Sequence, residues 1–115
     1  MIPKANVLFD KTEIIIQMSA KQAMSIPIRA EDVVSISFHP FQEKKLFKTI
    51  ESEVILIKPK KFPMPMVISK LMIETNKKAS SWDSIKAGME KFAKDNKISM
   101  SHESDYYVMP KFDNM

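Results

Sequence analysis

Val34-Ser35-Ile36-Ser37-Phe38 alternates large apolar with small polar residues at a period of two. Successive side chains of an extended chain point to opposite faces, so this run predicts a strand with one buried and one wet face. Toward the N-terminus the pattern recurs. Ile14, Ile16 and Met18 share one face of a strand, Met24, Ile26 and Ile28 one face of another, and Val7 to Phe9 forms a short first strand. Pro27 lacks an amide donor and pushes its strand toward an edge or a bulge. Toward the C-terminus, His39-Pro40 predicts a break, and Gln42 to Lys45 a loop into a strand around Leu46 to Ile50. Val54 to Ile57 reads as a strand covered on both faces, ending at Lys58-Pro59, and Met66 to Ile73 as a seventh strand.

Beyond residue 80 the period changes. Trp82, Ile85, Met89 and Phe92 fall at i, i+3, i+7 and i+10, one stripe of an amphipathic helix over 81–96. Ser80 with Asp83 resembles a capping box, with Ser81 the competing N-cap. Gly88 lies inside this helix at a cost of about 1 kcal/mol relative to alanine, which predicts close approach by another element. Residues 99–115 hold no sustained period and are expected to form a tail, loosely attached or used in pairing. Tyr106, Tyr107, Val108 and Phe112 give part of it enough apolar surface to dock as a strand. The predicted organisation is one domain over 1–98, mainly β with one C-terminal α-helix.

About seven strands followed by one helix resembles the order of pleckstrin-homology-like domains. The run Ser25-Ile26-Pro27-Ile28-Arg29-Ala30-Glu31-Asp32-Val33-Val34-Ser35-Ile36-Ser37-Phe38 looks like that of small bacterial members, in which a strand ends, an acidic turn follows and the next strand starts. Trp82 resembles the family's helix tryptophan. Over roughly residues 5–96 the resemblance implies a half-open barrel of two sheets with the helix at one end. The turn matching the basic first hairpin of phosphoinositide-binding members offers only Asp10-Lys11, so inositide recognition does not come with it.

The chain has 115 residues, 44% of them hydrophobic and 28% charged, which suits one globular domain with a real core. It contains no cysteine, which removes disulfides, thiolate metal sites and cysteine nucleophiles. A single glycine excludes the glycine-rich phosphate loop and the dinucleotide fingerprint, because both need several. His39 and His102 stand far apart without a second histidine at ligand spacing. Ser101, His102, Glu103 and Asp105 are neighbours whose side chains diverge on an extended chain, and Glu31-Asp32 and Glu51 with Glu53 are expected as solvated acids. No catalytic residue, cofactor or metal is expected. No apolar run reaches the roughly 20 residues of a membrane span, and the start lacks a secretory pattern, so a cytoplasmic protein is expected.

The formal net charge is +4, yet Arg29 is the only arginine among 18 basic residues. Lysine is a solvated point charge without the planar fork of arginine, so the basicity reads first as solubility. One stretch stands out. Lys58, Lys60, Lys61, Lys70, Lys77 and Lys78 are opposed only by Glu74 between residues 58 and 78. Two roles are therefore expected. The first is a non-catalytic binding or assembly module for a protein partner or itself, through sheet edges and Tyr106 and Tyr107. The second is contact with anionic lipid or nucleic acid, with Phe62 and Met64 inserting beside the lysines.

Overall fold

In the computed structural model, which describes residues 4–19 and 22–108, the chain folds as two sheets and two helices. β1 (Lys4–Phe9), β2 (Glu13–Ser19) and β3 (Ala23–Arg29) form an antiparallel meander in that order. A 3-10 turn, Ala30–Asp32, leads into the second sheet, whose order is β6-β5-β4-β7. Its members are β4 (Val33–Lys45), β5 (Lys48–Pro59), β6 (Met66–Ser69) and β7 (Ser99–His102). Helix α1 is Lys70–Glu74 and α2 is Trp82–Asp95. The architecture is mainly β, and the two sheets do not close into a barrel.

The alternation in β4 needs one correction. Val33 pairs with Pro59 and Ser35 with Lys58, so β4 advances two residues where β5 advances one. Val34 is the extra residue of this bulge and faces solvent, while Val33 takes the buried place; Ile36 and Phe38 are inside as expected. His39-Pro40 does not break the strand. β7 flanks β4 only from Ser35 to Phe38, so Pro40 lies where that side of β4 has no ladder to lose. The strands expected at 46–50 and 54–57 are one strand, β5, and Leu46-Phe47 is the turn joining it to β4.

The expected strand at 66–73 stops at Ser69. That residue adopts extended geometry and its hydroxyl accepts from the Met72 amide, which starts α1 instead. In α2 the N-cap is Ser81, accepting from the Ser84 amide, whereas the Ser80 amide donates to Asn6 Oδ1. At the other end, Asn96 donates from Nδ2 to the carbonyls of Phe92 and Lys11, tying the helix to the β1–β2 turn. Lys97 beyond it takes a left-handed φ of 56°. Gly88 lies under the Phe9 ring, which leaves no room for a β-carbon at that position.

The core lies between the sheets and the helices. Ala5, Val7, Ile14 and Ile16 contribute from the first sheet, Ile36, Phe38, Ile55, Ile57 and Ile68 from the second, and Trp82, Ile85, Met89 and Phe92 from α2. The stretch expected as a tail from residue 99 is part of the sheet as far as His102. β7 runs parallel to β4, Met100 packs on the core, and the amides of Glu103 and Tyr107 donate to the carbonyls of Phe38 and Pro40. The reason is that β4 leaves an unpaired edge there, which strand addition satisfies. Phe112 lies outside the described residues.

Glu53 fastens α2 to β5. Its Oε2 accepts from Trp82 Nε1 at 2.7 Å and its Oε1 from Lys86 Nζ at 2.9 Å. Burial raises the Glu53 pKa, but the hydrogen bonds from Lys86 and Trp82 and the charges of Lys86 and Lys70 outweigh it, leaving the carboxyl below its ordinary value. A depressed folded-state pKa contributes stability above the unfolded value and loses it as pH falls through the folded one. Glu53→Gln is therefore expected to cost about 1 kcal/mol at neutral pH, since the pair is partly solvent-screened. In urea titrations across pH, the gap to the parent should close on acidification. A gap that persists in acid would assign the loss to packing.

Candidate functional site

The meander ends in an edge strand, β3, and the second sheet in an edge strand, β6, and these lie on the same open side. Between them runs a groove of about 470 Å³. Ile26 and Ile28 form one wall, Ile57 and Met66 the other, and Phe62 and Met64 close one side from the connecting loop. The wall on β3 follows from period two, because residues 26 and 28 share a face. Pro27 stands opposite Ile15 and leaves this edge short of a donor, which disfavours strand addition there. The loop is held in place by Pro59, Pro63 and Pro65 and by the Lys60 amide, which donates to the Asp32 carbonyl at 2.9 Å. Asp32 and Lys61 are the charged residues lining the groove.

The six lysines of the 58–78 stretch do not form one patch. Lys61 reaches the groove, and Lys60 lines a neighbouring depression with Arg29 and Glu31. Lys58, opposite Ser35, alternates away from the buried Ile57. Lys70 is half-buried near Glu53, on whose carboxylate its charge acts. Lys77 and Lys78 lie elsewhere, around a depression shared with Lys4 and Met24. Phe62 and Met64 are exposed at the groove, as a contact role requires.

The two tyrosines are engaged within the chain. Tyr106 donates its hydroxyl to Glu51 Oε2 at 2.8 Å, and Tyr107 packs its ring near His39 and Phe41. Hydrogen bonds from Gln42 and Tyr106 hold the Glu51 carboxyl below its ordinary value, and the same bond raises the Tyr106 phenol. Glu51 and Glu53 thus have separate partners rather than sharing a proton. His39 Nε2 is 2.9 Å from Ser37 Oγ. His102 stacks on Phe38 at 4.6 Å and lies 3.2 Å from Glu90. Among the described residues no three His, Asp or Glu side chains form a metal-holding group, and no helix is long and apolar enough to cross a membrane.

Sequence reasoning missed Leu46 and Phe47, placing both within a strand. They are 89% and 93% exposed at the tip of the β4–β5 hairpin. The available signal was the local sequence Lys44-Lys45-Leu46-Phe47-Lys48, in which two large apolar residues are enclosed by three lysines. No family model, curated protein or solved structure matches this chain.

Proposed function

We propose that this chain is a non-catalytic binding module of pleckstrin-homology-like architecture, and that its open side takes an apolar segment of a protein partner. The observation that carries this is the groove between β3 and β6, lined by Ile26, Ile28, Ile57 and Met66 with exposed Phe62 and Met64 beside it. Concave apolar surface with a few polar groups at its margin is the usual form of a binding site. Methionine and phenylalanine there suit a partner whose side chains vary, since thioethers repack readily. Asp32 and Lys61 in the lining are of opposite sign, so the segment is held chiefly by apolar contact, with one group of each charge at the margin.

Amide chemical-shift mapping with short synthetic peptides, apolar at the centre and flanked by either glutamate or lysine, tests this. Shifts are expected at Ile26, Ile28, Ile57 and Met66. Phe62→Ser with Met64→Ser should weaken binding about tenfold or more while leaving the unfolding midpoint in place, because both residues are exposed. Shifts confined to other surfaces, or equal binding by that variant, would remove the groove from consideration.

A further inference from the structure

β6 flanks β5 only from Val54 to Ile57 and β7 flanks β4 only from Ser35 to Phe38. Among the described residues, the second sheet beyond Pro40 and Glu53 is therefore a two-stranded ribbon, with its register maintained to Lys45 opposite Lys48. Leu46 and Phe47 form its two-residue turn. Turn chemistry does not explain them. Such turns favour asparagine and glycine at positive φ, whereas Lys97 is the described non-glycine residue with positive φ. Core packing does not explain them either, because both are almost fully exposed at the end of the ribbon.

The charges around them point to an anion. Between residues 44 and 49 there are three lysines and no acid. Lys44 and Lys48 are exposed. We infer that the β4–β5 hairpin tip docks on an anionic lipid surface, with Leu46 and Phe47 entering the headgroup and acyl boundary while the flanking lysines lie among lipid phosphates. A bilayer supplies the apolar depth that two large side chains require and the negative surface that the lysines require.

This contact is independent of the groove. β5 runs from the tip at Lys48 to the groove at Pro59, and the molecule is 42 Å long. The tip and the groove lie at opposite ends of that strand, so substitutions at one leave the contacts of the other in place.

The test is sedimentation with phosphatidylcholine vesicles containing about 30% phosphatidylserine, compared with phosphatidylcholine alone, at low and physiological salt. Binding is expected only to the anionic vesicles, falling as salt rises. Leu46→Ser with Phe47→Ser should reduce it about tenfold or more, and Lys44→Gln with Lys48→Gln about fivefold per lysine. In a Phe47→Trp variant, the new indole should shift to the blue on binding and be quenched by lipid brominated near the headgroup. Phe62→Ser with Met64→Ser should bind vesicles as the parent does, and the tip variant should bind peptides as the parent does. Absence of vesicle binding, retention of it by the tip variants, or loss of it in the groove variant would each overturn the assignment.

Discussion

Replacing Trp82 with alanine is expected to cost about 3 to 5 kcal/mol, a large share of the roughly 5 to 15 kcal/mol that holds a domain of this size together. Two effects add. The indole is only 5% exposed and stands in the cluster that joins both sheets to α2, so its removal leaves a cavity the rigid strands cannot fill. Glu53 also loses the donor that its Oε2 faces. Trp82→Phe separates the two, because it keeps most of the packing and loses only the hydrogen bond, and about 1 to 2 kcal/mol is expected. Since Trp82 is the sole tryptophan, unfolding must be followed by circular dichroism rather than fluorescence. A loss under about 1 kcal/mol for the alanine variant would mean that α2 is not docked.

Ending the chain after Ile98 is expected to destabilise it by about 2 to 4 kcal/mol, through the lost β7 ladder and the lost burial of Met100. The change in solubility should be larger than that figure suggests. β4 would become a 13-residue edge strand, with apolar Ile36 and Phe38 beside unpaired amides, which is the arrangement that recruits other chains. Thermal unfolding with light scattering checks both effects. A monodisperse truncated protein with the parent's midpoint would show that β7 contributes nothing to the fold.

The parts legible in the sequence were those where one face of an element is buried and the local period is undisturbed. Ile14, Ile16 and the Trp82 stripe read correctly because burial enforces their register. Val34 misled because a bulge shifts the phase of alternation without leaving any mark in residue types. Pro40 and Ser69 misled for a related reason: whether proline breaks a strand depends on the neighbouring strand, and whether serine starts a helix depends on competition with the ladder. β7 carried no periodic signal, since four residues are too few to show one. At the candidate groove, Phe62 and Met64 were visible as apolar residues in a proline-rich loop. Their partners Ile26 and Ile28 were read only as a core face, because no local pattern tells that β3 and β6 stay apart. Leu46 and Phe47 looked like strand residues, since propensity alone does not distinguish a turn from the strand it follows.

The parallel partnership of β4 with β7 also bears on the order in which the protein assembles. The β1–β2–β3 meander and the β4–β5 hairpin join neighbours in the chain and can form as soon as each is available. Ser35, however, waits for Ser99, a partner roughly 60 positions further on, and non-local closure of that kind is the slow part of folding. At ribosomal rates of roughly 5 to 20 residues per second, the open side of β4 stays uncovered for about 3 to 12 s in every nascent molecule. Crowded synthesis is then a condition that exposes this edge of β4 to other chains.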